Sequence, residues 1–99
     1  MEIISLYKEL GSTILTRNSM AAFFDEVIEI SEHDDIIIDF KNIKFISRSC
    51  VAEYLKLREQ TNKNLIEKNM SKEIKSMFNL VLKQLKEVHF IFKKKTPII

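Results

Sequence analysis

The sequence predicts an α/β domain: a roughly four-stranded parallel or mixed sheet with about three helices. Three observations carry that expectation. An unbroken β-branched run, Ile36-Ile37-Ile38, lies mid-chain and leads into Asp39-Phe40. Apolar segments of strand character alternate with segments whose apolar residues recur every three or four positions. Such alternation implies strands joined by helical crossovers, hence a largely parallel or mixed sheet. The length, 99 residues, suits one domain rather than two, so 1–99 reads as a single unit.

Each element follows from local pattern. Glu2–Lys8 carries Ile3, Ile4, Leu6 and Tyr7 and reads as a strand. Gly11 marks a turn, and Ser12–Leu15 reads as a short second strand forming a hairpin with the first. From Asn18 the period changes. Met20, Phe23, Phe24, Val27, Ile28 and Ser31 share one helical face, and Thr16 or Asn18 can cap its start. Ile36–Phe40 then suits a central strand buried on both faces. Lys41-Asn42 breaks it, and Ile43, Phe45 and Ile46 form a short loop or strand extension.

Ser47 or Ser49 caps the next helix, whose inward stripe is Val51, Tyr54, Leu55 and Arg58. Leu65–Met70 reads as a third buried strand. Ser71 caps a last helix, with Glu73 in its first turn and a stripe of Ile74, Met77, Phe78, Val81, Leu82 and Leu85. Val88–Phe92 reads as a final strand before Lys93–Lys95 and the Pro97 tail.

Composition excludes several functions. A net charge of +2 gives no electrostatic case for nucleic acid or a membrane surface. The single cysteine, Cys50, rules out an internal disulfide and fits a reducing compartment. No apolar run approaches the roughly 18–20 residues of a membrane span, and the N-terminus lacks a secretory pattern, so a cytoplasmic location is expected. With one glycine, Gly11, the chain cannot build a glycine-rich phosphate loop of Rossmann or P-loop type.

The segment from Ile36 to Ser49 resembles the core of STAS domains, the fold of the anti-sigma factor antagonists. It is more similar still to a prokaryotic branch of STAS-like proteins. These often read Asp-Phe, a short spacer, then Ser-x-Ser-Phe-Ala-Asp-Glu. Here Asp39-Phe40, Ser47, Ser49 and Glu53 match, while Cys50, Val51 and Ala52 replace the usual Phe, Ala and Asp. Leu15-Thr16-Arg17 with Ala21 and Ala22 resembles that family's first helix entry, and Ile66–Phe78 is a weaker likeness to its later strand-to-helix step.

The resemblance implies a non-enzymatic regulatory domain without a cofactor. It would dock a protein partner, such as an ATP-binding histidine-kinase-like regulator, through its Ser47–Ser49 helix start. Some STAS domains bind nucleotides, so a small-ligand site is the alternative. A homodimer is compatible with either. One departure matters. The antagonists carry Asp-Ser-Ser-Gly at this turn, and their first serine is phosphorylated. Arg48 occupies that position here and Cys50 replaces the glycine, leaving Ser47 and Ser49 as the candidate phosphorylation positions.

The residues themselves offer a physical basis for docking. A helix N-terminus exposes unpaired N–H groups and carries partial positive charge. With Arg48 it would attract an acidic side chain or a phosphate; the plainer reading is that one serine caps the helix. Glu53 would meet a basic partner residue or pair with Lys56. Asp39 ends a strand, a common ligand position in α/β sheets, but turn formation near Asn42 is the preferred reading. Arg17, at a helix start, is its candidate ion-pair partner.

Chemistry finds less support. Cys50 near a helix start has no histidine close in sequence and reads as a small buried hydrophobe. His33-Asp34-Asp35 is a lone cluster, too short to define a metal site. His89, and Lys93–Lys95 behind Phe90 and Phe92, read as structural or solvated. No nucleophile–base pair or acid–base pair is recognisable.

Overall fold

The computed structural model describes residues 1–87. The chain is α/β, with five strands and four helices among the described residues. They follow in the order β1 (Glu2–Ser5), α1 (Leu6–Leu10), β2 (Thr13–Ile14), α2 (Arg17–Phe23), β3 (Asp35–Asp39), β4 (Phe45–Ile46), α3 (Arg48–Gln60), β5 (Asn64–Lys68) and α4 (Lys72–Glu87). The helix α2 continues through a π-helical turn, Phe24–Ile28. The expected strand at Val88–Phe92, with His89 and Lys93–Lys95, lies outside the described residues.

The strands form two parallel sheets. β1, β3 and β5 make the larger one, in that order, with Ile3 opposite Ile37 and Ile37 opposite Ile66. β2 and β4 form a separate two-residue pair, Thr13 opposite Phe45 and Ile14 opposite Ile46. This corrects two expectations. Ser12–Leu15 makes no hairpin with the first strand; its partner is β4, some thirty residues away. The expected strand over Glu2–Lys8 ends at Ser5, whose side chain accepts from the Lys8 N–H and caps the short helix α1. A serine in the middle of that apolar run is what stops the strand.

The helices gather over one face of the larger sheet. Ile4, Ile36, Ile38 and Leu65 point into the core with Met20, Phe24, Val51, Leu55, Ile74 and Val81. The opposite face carries Ile3, Ile37 and Ile66 in a row across the three strands; Ile3 is 68% exposed, and the other two are half-buried. Among the described residues the helices cover Ile36–Phe40 on one face, not both: Ile36, Ile38 and Phe40 are buried, while Ile37 and Asp39 are only half-buried.

Four rings tie the helices to the sheet. Tyr54 of α3 meets Phe24, Phe40 and Phe78 edge-to-face, with centroids 5.5 to 6.0 Å apart. Phe40 meets Phe78 in the same way at 5.7 Å. Edge-to-face pairs of this kind add about 0.5–1.5 kcal/mol beyond area burial. The helix starts are capped as their sequences suggest: Thr16 accepts from the Ser19 N–H, Ser47 from the Cys50 N–H and Ser71 from the Ile74 N–H.

Candidate functional site

The β2–β4 pair places two helix starts side by side. β2 runs through Leu15 to the α2 cap, Thr16; β4 runs straight into the α3 cap, Ser47. Beyond the ladder, the Ser47 N–H donates to the Ile14 carbonyl at 2.9 Å. The Ser47 hydroxyl donates to the Leu15 carbonyl at 3.0 Å and accepts from the Cys50 N–H at 3.2 Å. One serine thus caps α3 and anchors it to the strand that launches α2.

Side chains on this pair divide by strand alternation. Ile14 and Ile46 enter the core. Leu15 and Phe45 face outward, 59% and 47% exposed. The first residues of the two helices, Arg17 and Arg48, are both exposed, and neither makes an ion pair among the described residues. Exposed Leu15 and Phe45 thus lie just ahead of two adjacent helix starts, each opening with an unengaged guanidinium group.

Ser47 and Ser49 are half-buried, with hydroxyl oxygens 3.2 Å apart. The Ser47 hydroxyl is committed as donor and acceptor to the backbone, whereas among the described residues Ser49's hydroxyl hydrogen-bonds with Ser47 alone. Glu53 is half-buried on α3 and makes no ion pair with Lys56.

Asp39 belongs to a different arrangement. Its Oδ1 accepts from the Asn69 side chain at 3.0 Å and from the Lys41 N–H at 2.9 Å. These bonds, Asn69 first, hold its carboxyl below the ordinary aspartate range. The chain reverses here: the Ile43 N–H donates to the Phe40 carbonyl, and Asn42 takes a left-handed φ of 70°. Asp39 is thus a turn-forming carboxylate, and among the described residues no ion pair joins it to Arg17.

Cys50 is fully buried in the core. His33 is exposed, and its backbone N–H donates to the Ser31 hydroxyl. Among the described residues no three His, Cys, Asp or Glu side chains are grouped to hold a metal. No described helix is long and apolar enough to cross a membrane.

The strongest polar constellation escaped the sequence reading. Glu67 of β5 points inward beneath α3, its side chain only 1% exposed. Arg58 grips it with two nitrogens, Nε to Oε2 at 2.8 Å and Nη2 to Oε1 at 3.2 Å, and also donates to the Leu65 carbonyl at 3.0 Å. The Tyr54 hydroxyl donates to the same Oε2 at 2.5 Å. Burial, then the Glu67 charge, pushes the Tyr54 phenol well above its usual range. An arginine in the inward stripe of α3 was the available signal, because a buried guanidinium requires a carboxylate. Strand alternation after Leu65 puts Glu67 on the same side.

No protein-family model, curated protein or solved structure gives a significant match to this chain.

Proposed function

We propose that this protein is a non-enzymatic regulatory domain that docks a protein partner on the surface where α2 and α3 begin. The carrying observation is that exposed, unengaged Arg17 and Arg48 open the two helices that start from the β2–β4 pair, just after exposed Leu15 and Phe45. Arginine beside accessible apolar side chains is the composition of an interface hot spot. The occupant this chemistry fits is a protein surface with acidic side chains around an apolar contact. Glu53 would add selectivity for a basic group at the rim. The spacing Asp39-Phe40, Ser47, Ser49, Glu53 resembles STAS-like proteins and supports a regulator of the ATP-binding histidine-kinase-like class as the partner.

Phosphorylation would act as a switch at Ser49, whose hydroxyl is less committed than that of Ser47. A phosphate there would set negative charge beside Arg48 and weaken an acidic partner's attraction.

The test is affinity capture followed by calorimetry with the purified partner. Arg48→Glu and Leu15→Asp should each weaken binding at least tenfold, about 1.4 kcal/mol, with the fold intact by circular dichroism. Unchanged affinity in both variants sinks the proposal.

Small-ligand binding is the second reading, favoured by a groove of ≈ 580 Å³ at the end of β3 that includes Ser5, Tyr7, Lys8, Asp39 and Lys41. Glu2, Glu9 and Asp39 on its walls oppose a phosphate, and Ser47 is not part of it. A nucleotide at 100 times its dissociation constant would stabilise the fold by about 2.7 kcal/mol. Thermal shifts with ATP and GTP should therefore stay flat if docking is the function.

A further inference from the structure

The larger sheet leaves one side of β1 without a strand among the described residues, since the order is β1-β3-β5. Alternate residues of an edge strand direct their N–H and C=O away from the sheet, which makes the edge a template for another strand. Natural edges are blunted by shortness, charge (lysine above all), proline, a bulge or a covering element; β1 has shortness and the one charge of Glu2. β1 reads Glu-Ile-Ile-Ser and has no lysine or proline.

Exposed apolar side chains surround this edge. Ile3 is 68%, Ile30 71% and Tyr7 43% exposed. The charge beside it is one-sided. Two adjoining grooves, sharing Glu2, Glu9 and Val27, follow the strand and the end of the π-helical turn. Their walls carry Glu2, Glu9, Glu26, Glu32 and Asp39 against Lys8 and Lys41; Glu2 accepts from Ser31 and Asp39 from Asn69, whereas Glu9, Glu26 and Glu32 make no ion pair among the described residues. The chain as a whole is +2, so carboxylates are concentrated here against the overall balance.

We infer that the free edge of β1 receives an extended, lysine- or arginine-rich segment of a partner protein, added as a parallel or antiparallel strand. Main-chain hydrogen bonds to β1 would give affinity. Apolar side chains at alternate positions would rest on Ile3 and Tyr7 or on Ile30, and basic ones between them would meet the glutamates. This surface shares no residue with the Leu15–Phe45 surface, so the two proposals stand or fall separately.

The test uses the full chain and a synthetic amidated peptide, Lys-Val-Lys-Ile-Lys-Val-Lys, with a counterpart in which every lysine is glutamate. In a ¹⁵N-resolved NMR titration the lysine peptide should shift the amides of residues 2–5 and slow hydrogen exchange at those whose N–H points away from β3. It should bind about fivefold more weakly to Glu9→Lys/Glu26→Lys, and more weakly in high salt. The glutamate peptide should not bind. The inference is overturned by any of three results. These are residues 2–5 unmoved by the lysine peptide, equal binding of the two peptides, and outward edge amides already protected in the free chain, which means that the edge is occupied without a partner.

Discussion

Arg58 and Glu67 form a two-pronged ion pair inside the fold, with side chains only 8% and 1% exposed. The pair joins α3 to β5, one of the two outer strands of the larger sheet among the described residues. Removing one member leaves the other charged and desolvated. Glu67→Gln or Arg58→Met should each cost about 3–5 kcal/mol. The double variant Arg58→Met/Glu67→Leu should cost less than the two single changes together. Urea denaturation of all three variants measures the coupling.

Tyr54 completes the constellation. Tyr54→Phe keeps the ring contacts and removes a hydrogen bond to a charged group, so it should cost about 1.5–3 kcal/mol at neutral pH. The folded phenol is raised above its unfolded value. Its contribution is therefore fully present below the ordinary tyrosine range and is lost as pH climbs toward the folded pKa. The wild type should lose stability on the alkaline side more steeply than Tyr54→Phe. Absorbance near 295 nm should show a phenol that resists ionisation on the alkaline side in the wild type and is missing from Tyr54→Phe.

Ser47 serves α3 and β2 together. Ser47→Ala should cost about 1–2 kcal/mol, near the upper end for an N-cap, because the bond to the Leu15 carbonyl goes too. Ser47→Asp restores the cap without the donor and should recover only part of the loss. Ser49→Ala should stay within about 0.5 kcal/mol. Thermal unfolding of the three variants separates the roles.

Asp39 gives the fold an acid-side pH dependence. Its folded pKa lies below the unfolded value, so its stabilisation is present above the unfolded pKa and fades as pH falls through the folded one. Carboxyl-resolved NMR titration of Asp39 should give a midpoint below 3.8. Asn69→Ala removes the first cause of the shift and should bring the midpoint up.

Much of this architecture was readable from local pattern. The apolar residues of the α2, α3 and α4 stripes lie in or against the core, whereas Ser31 falls beyond the helix it was read into; Thr16, Ser47 and Ser71 were among the caps expected. The errors occurred where two readings compete over a few residues. Leu6 and Tyr7 continue an apolar run, and only a capping bond from Ser5 turns them into a helix. Thr13-Ile14 is too short to announce its partner, and nearness to β1 in the chain suggested a hairpin that the parallel bond to β4 excludes. The helix start at Ser47 was legible because serine before a helical stripe has a mechanism. The neighbouring presence of Arg17 was not, because it depends on that same two-residue ladder. Glu67 was missed because a charged residue in a strand usually faces water.

The parallel larger sheet also sets a timetable for biosynthesis. Glu2 finds its partner at Ile36, and Asp35 finds its own at Asn64, so no strand has a neighbour nearby in the chain. At about 5–20 residues per second, β1 leaves the ribosome roughly two to seven seconds before β3 can join it. Throughout that interval Ile3 and Ile4 are a sticky, solitary ribbon. Slowing translation between Gly11 and Asp35 should lengthen the wait and raise the demand for chaperones, with no change in the finished molecule.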